Sequence, residues 1–132
     1  MSDINLKCNS IILDTSAVVE YIKQTDKGAV VRTYWQNPEN IIILPSVVIA
    51  ELKSVLIRRK LNSNVINLLI ESCTILDLTK EIALIAGELH SKLRQKDVSL
   101  ADCIIMAHVE QSNSLLLTSD IHFKNFKNAI LL

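Results

Sequence analysis

Four acidic residues, Asp14, Glu51, Asp102 and Asp120, are the side chains whose types and spacing point to chemistry. Asp14 directly follows Ile11-Ile12-Leu13. That aliphatic run is too short for a helix and rich in β-branching, so it reads as a buried strand. A strand buried on both faces belongs to a parallel sheet covered by helices, and ligands of such sheets gather at the carboxyl ends of the strands. Asp14 stands at such an end, and Asp120 lies just past a second aliphatic run, Leu115-Leu116-Leu117. The plainer reading of Asp14 or Thr15 is a cap for the following helix.

Glu51 lies within or at the edge of a helical stripe formed by Val48, Leu52, Val55 and Leu56. A carboxylate beside the core is costly unless paired or bound to a cation. It either serves the site, reaches out to water, or pairs with Lys53 or Arg58. Asp102 closes Ser99-Leu100-Ala101-Asp102, a capping-box pattern at the start of a helix. A short connection joins that helix to the run at residues 115–117, so its first turn must also face the carboxyl edge. All four acids are therefore expected at one edge of one sheet.

Carboxylates brought together repel unless a cation balances them. Hard divalent ions favour oxygen ligands, and Mg²⁺ is typically held by one or two carboxylates while leaving room for a substrate phosphate. Such a site supports hydrolysis at phosphorus. Ser16 and Thr118 flank it and either orient carboxylates or cap helices. No Cys or His cluster is spaced for a softer metal.

The elements that must position these acids are legible along the chain. Strands are expected at residues 11–13, 41–44, 73–76, 115–117 and 129–132. Helices are expected at residues 16–23, 27–36, 46–60, 65–71, from Asp77 or Thr79 onward, and at 99–111, with Ser46 and Ser99 as caps. The alternation predicts a three-layer α/β protein with a parallel sheet of about five strands flanked by helices. The 132 residues fit one domain, residues 1–132. With 49% apolar and only 4% aromatic residues, its core must be built from Ile, Leu, Val and Ala.

The formal net charge is zero, so nucleic-acid binding through an overall basic field is not indicated, and any polyanion would need a local basic patch. Residues 1–8 are polar and lack the apolar segment of a signal peptide. No run reaches membrane-spanning length. Cys8, Cys73 and Cys103 are widely spaced and read as reduced thiols of a cytoplasmic protein. His90 and His108 fall on helices and read as structural.

The ordered set Ile12-Leu13-Asp14-Thr15-Ser16, Ser46-Val47-Val48-Ile49-Ala50-Glu51-Leu52, Ser99-Leu100-Ala101-Asp102-Cys103-Ile104-Ile105-Met106-Ala107 and Leu116-Leu117-Thr118-Ser119-Asp120-Ile121-His122-Phe123 resembles the PIN domain, most closely the VapC-type toxin ribonucleases. Each motif is weak alone; their order and spacing cover nearly the whole chain. The resemblance implies a Rossmann-like PIN fold and a Mg²⁺- or Mn²⁺-dependent endoribonuclease acting on single-stranded or loop RNA. It places Asp14, Glu51, Asp102 and Asp120 in the acidic site, with Asp14 and Asp102 as principal metal ligands. The family often carries a further Asp before the last Phe; here His122 stands there and reads as a surface turn residue.

The resemblance further implies a homodimer and a small VapB-type antitoxin inserting near the active edge. Val18, Tyr21, Ile22, Tyr34 and Trp35 would offer a groove for it or pack in the core. Arg58, Arg59, Lys60, Lys92, Arg94, Lys96, Lys124 and Lys127 either guide RNA or are ordinary solvated residues. A receiver-like signalling domain is the competing class, but it needs paired acids after the first strand, and Leu13 and Thr15 flank Asp14. An Asp-x-Asp phosphatase would need an acid where Ser16 stands. Gly28 and Gly87 form no phosphate loop. A catalytically silent PIN-fold scaffold acting through partner binding is the remaining alternative.

Overall fold

In a computed structural model describing residues 9–93 and 97–132, the aliphatic runs form one five-stranded sheet. The strands are β1 (Asn9–Leu13), β2 (Asn40–Pro45), β3 (Thr74–Leu76), β4 (Leu115–Thr118) and β5 (Ala129–Leu131). Their spatial order is β3-β2-β1-β4-β5, and all four pairings are parallel. The helices are α1 (Thr15–Lys23), α2 (Asp26–Gln36), α3 (Ser46–Arg58), α4 (Val65–Ser72), α5 (Lys80–Lys92) and α6 (Leu100–Ser112). Residues 1–8, with Cys8, and the cations Arg94 and Lys96 lie outside the described residues.

The chain builds β1, β2 and β3 outward in one direction, then returns to place β4 on the other side of β1. Strand order therefore reverses between β1 and β4, and a crevice must open at their carboxyl ends. Consecutive Ile11, Ile12 and Leu13 are all 0–1% exposed, so both faces of β1 are covered. At roughly 1.5–3 kcal/mol per fully buried aliphatic side chain, this central strand contributes heavily to holding the layers together. Leu116 and Leu117 repeat the pattern on β4.

Two local features differ from the sequence expectation. Ser46 is the first residue of α3 and not its cap; Pro45 holds the N-cap position without a side-chain bond. Proline's fixed φ of −65° lets β2 run straight into the helix with no loop between them. The expected strand–helix alternation also fails between β4 and β5, which are joined by a short 3₁₀ turn, Ile121–Phe123. That turn is anchored by Phe123, 1% exposed in the core. Of the two proposed caps for α5, Thr79 is the one used: its hydroxyl accepts from the Ile82 amide at 3.2 Å.

Helices α1 and α2 pack at Gly28. A Cβ built there would lie 2.2 Å from the Glu20 carbonyl oxygen, so a larger residue cannot be accommodated without moving a helix. Nearby, Tyr21 and Trp35 stack with ring centroids 4.9 Å apart. Val18, named with them as a groove residue, is fully buried and belongs to the core.

Candidate active site

The register of the central pair sets the site. Ile12 pairs with Leu116 and Leu13 with Leu117, so one step further Asp14 meets Thr118. Thr118 Oγ1 donates to Asp14 Oδ2 at 2.6 Å. Asp14 Oδ1 accepts from Ser16 Oγ at 2.7 Å and from the Ala17 amide at 3.0 Å. Asp14 is thus the cap of α1 and a member of the cleft at once. Only 4% exposed, its carboxyl is pushed up to about 6, chiefly by burial. The bonds from Thr118, Ser16 and Ala17 act in the opposite direction, and the nearby Asp120 charge adds to the rise.

Ser16 extends the network by accepting from the Ser119 amide at 2.9 Å. Thr118 Oγ1 likewise accepts from the Asp120 amide at 2.9 Å. Both flanking hydroxyls therefore tie the Asp14 carboxylate to the backbone that follows β4. The half-buried Glu51 does not pair with Lys53 or Arg58. Its Oε1 accepts from Thr15 Oγ1 at 2.8 Å, which holds the carboxylate over the sheet edge.

Asp102 forms the expected capping box: Ser99 Oγ accepts from its amide at 3.0 Å, and its Oδ2 accepts from the Ser99 amide at 3.1 Å. One carboxylate oxygen serves the helix, and Oδ1 makes no hydrogen bond among the described residues. Asp120 caps the 3₁₀ turn, its Oδ1 accepting from the His122 amide at 2.9 Å. Capping and site membership are compatible at three of the four acids because a carboxylate has two oxygens.

Asp14, Glu51, Asp102 and Asp120 line one open cleft of about 350 Å³, together with Thr15, Ser16, Ser119, Glu20 and Arg59. Glu20 has no motif that marks it in the sequence, and Thr15 reads there only as a candidate cap. Glu20 accepts from Thr25 Oγ1 at 2.6 Å, and that contact follows from the α1–α2 turn rather than from any motif. Among the expected cations, Arg59 reaches the cleft, Arg58 the adjoining groove beside Glu51, and Lys124 a depression bordered by His122.

His122 departs most from expectation. It is exposed and on a turn, as read, but its Nδ1 lies 3.0 Å from Asp120 Oδ1. Among the described residues, Asp102, Asp120 and His122 are the group whose candidate ligand atoms all fall within 4.8 Å of one another. His108 is 2% exposed, its Nε2 has no hydrogen-bond partner among the described residues, and burial holds its pKa down. Cys73 and Cys103 are free thiols, both pushed up by burial. No helix among the described residues is long and apolar enough to cross a membrane.

A parallel sheet with a carboxylate-lined cleft at its switch point defines a three-layer α/β protein with its acids gathered at one edge. The chain belongs to the PIN domain family, whose model matches residues 11–129. Its fold is VapC-like. VapBC2 from Rickettsia felis, solved bound to a DNA fragment from its promoter, is similar at 27% identity and a TM-score of 0.70, covering 93% of this chain and 97% of that one. VapC20 from Mycobacterium tuberculosis, a toxin that cleaves the sarcin–ricin loop, superposes at a TM-score of 0.75 with 17% identity over 89% of this chain and 95% of that one. VapBC-1 from nontypeable Haemophilus influenzae gives 0.70 and 21%, over 93% and 96%. No curated protein matches the sequence.

Proposed function

We propose that this chain is a divalent-cation-dependent endoribonuclease and the toxin of a VapBC-type toxin–antitoxin pair. The observation that carries the reading is the convergence of Asp14, Glu51, Asp102 and Asp120 on one cleft at the β1–β4 switch point. Membership of the PIN domain family and the likeness to VapBC complexes support it.

The donor set fits Mg²⁺ or Mn²⁺. Several carboxylates share the cleft, and among the described residues none of them forms an ion pair with Lys or Arg. Burial pushes the Asp14 carboxyl up to about 6, so positive charge in the cleft would favour its ionised form. Asp14 Oδ2, Asp102 Oδ1 and the Asp120 carboxylate would hold the ion, with Glu51 completing the shell. When bound, a divalent cation activates water and offsets the charge developing on a phosphodiester in hydrolysis.

The chain's own residues do the positioning. Thr118 and Ser16 fix the Asp14 rotamer, and Thr15 fixes Glu51. Glu51, held but half-exposed, is placed to accept a proton from the attacking water. Arg59 at the cleft and Arg58 beside it meet the phosphate backbone of an RNA strand, which makes binding salt-sensitive. The exposed side of the Tyr21–Trp35 stack, with Ile22 and Tyr34, offers an apolar surface for a small VapB-type antitoxin, and the working protein is a cytoplasmic homodimer.

The deciding experiment is cleavage of a structured RNA by purified protein with Mn²⁺ and with EDTA. Cleavage confined to the Mn²⁺ arm is expected. Intact RNA in both arms, with no Mn²⁺ binding by calorimetry, would identify a silent scaffold instead.

A further inference from the structure

The geometry points to His122 as a direct nitrogen ligand of the cation held by Asp102 and Asp120, biasing the cleft toward a transition ion such as Mn²⁺ over Mg²⁺. The inference rests on the reading that this cleft binds a divalent cation, and it adds one nitrogen ligand to that cation's carboxylates.

His122 is brought there by the turn that Asp120 itself begins. Asp120 Oδ1 accepts from the His122 amide at 2.9 Å, and His122 Nδ1 stands 3.0 Å from the same oxygen. Two ligands of one ion at right angles, each about 2.1 Å from it, lie about 3 Å apart, and opposite ligands lie just over 4 Å apart. Asp102, Asp120 and His122 offer one ligand atom each, all within 4.8 Å of one another, so small side-chain movements bring them around one centre. Asp102 arrives from the start of α6 and the other two from the segment after β4. The cluster thus spans two separate elements.

Packing does not account for the imidazole. Its side chain is 42% exposed, and the neighbouring Phe123 supplies the apolar anchor of the turn. A neutral imidazole offers a nitrogen lone pair. Mg²⁺ prefers oxygen donors throughout its shell, whereas Mn²⁺ and later divalent ions accept imidazole readily. One nitrogen among carboxylates therefore changes which ion the site prefers.

The test uses the full chain as wild type, His122→Ala, His122→Asp and Asp102→Asn. Calorimetry measures Mn²⁺ and Mg²⁺ affinities, and pulsed electron paramagnetic resonance of bound Mn²⁺ reads coupling to a ¹⁴N nucleus. Wild type is expected to show ¹⁴N coupling that is lost in both His122 variants. His122→Ala should weaken Mn²⁺ binding on the order of tenfold, and His122→Asp should reduce the Mn²⁺-over-Mg²⁺ preference by a similar factor. Wild-type Mn²⁺ without ¹⁴N coupling, or His122→Ala binding Mn²⁺ as tightly as wild type, overturns the assignment while leaving the cation site standing. Wild type that binds no Mn²⁺, or binds it equally well after Asp102→Asn, overturns the cation site as well.

Discussion

Thr118 Oγ1 donates a 2.6 Å hydrogen bond to Asp14 Oδ2, joining residues 104 positions apart across the β1–β4 seam. Thr118 Oγ1 also accepts from the Asp120 amide, so one hydroxyl ties together the two strand ends that carry the acids. Thr118→Val keeps the shape and removes both bonds. A buried carboxylate oxygen and a half-buried amide then lose their partner, at a cost of about 1–3 kcal/mol. The urea midpoint at pH 7 should fall accordingly; an unchanged midpoint would mean the seam is held by packing alone.

Asp14 also predicts a pH dependence. Its carboxyl titrates at about 6 in the folded chain against an ordinary value of 3.8. The native state therefore binds a proton more tightly than the unfolded state does. The associated stability is fully present below pH 4 and is lost as pH rises through about 6. The upper limit is about 3 kcal/mol, from roughly two units at 1.4 kcal/mol each. Denaturant titrations in EDTA should show this decline, and Asp14→Asn, which mimics the protonated form, should lack it. Because a cation binds the ionised carboxylate, the rise in Tm produced by Mn²⁺ should grow between pH 5 and pH 7. A Mn²⁺ effect that shrinks over that range would count against Asp14 as a ligand.

Thr15 orients Glu51 without entering the core. Thr15→Val should leave Tm within about 2 °C, since a half-exposed bond contributes little to stability. It should lower the single-turnover cleavage rate on the order of tenfold to a hundredfold through misplacement of Glu51. An unaltered rate would remove Glu51 from the proton-transfer role.

Gly28→Ala places a Cβ against the Glu20 carbonyl and must push α2 away from α1. Overpacking of this kind costs about 1–3 kcal/mol. Trp35 is the chain's one tryptophan and stacks on Tyr21 across the same interface. Its emission should shift as Tm falls. A stable variant with unchanged emission would show that the two helices separate freely.

The sheet was legible because its strands are short aliphatic runs, the first of which, Ile11-Ile12-Leu13, runs straight into Asp14. Periodicity placed Glu51 at the edge of a buried stripe, and the capping box placed Asp102 at a helix start. What stayed hidden depended on contacts between distant elements. The Thr15–Glu51 bond joins α1 to α3, and no spacing rule foretells it. The sequence marks His122 only as a turn residue, because the 3₁₀ geometry that brings it beside Asp120 has no strong local signature. Pro45 displaced Ser46 from the cap because a strand can enter a helix without a loop, a case in which cap propensity is silent.

The proposed cation-dependent hydrolysis of RNA is isolated best at Asp14. Asp14→Asn preserves shape, and the buried pocket already favours a neutral side chain there. The direct measurement is single-turnover cleavage of a loop-containing RNA at saturating Mn²⁺ by wild type and Asp14→Asn, each with an EDTA control. Wild type should cleave only with Mn²⁺, and Asp14→Asn should be slower on the order of a thousandfold while remaining folded. Cleavage by Asp14→Asn at the wild-type rate, or cleavage that persists in EDTA, would contradict the account.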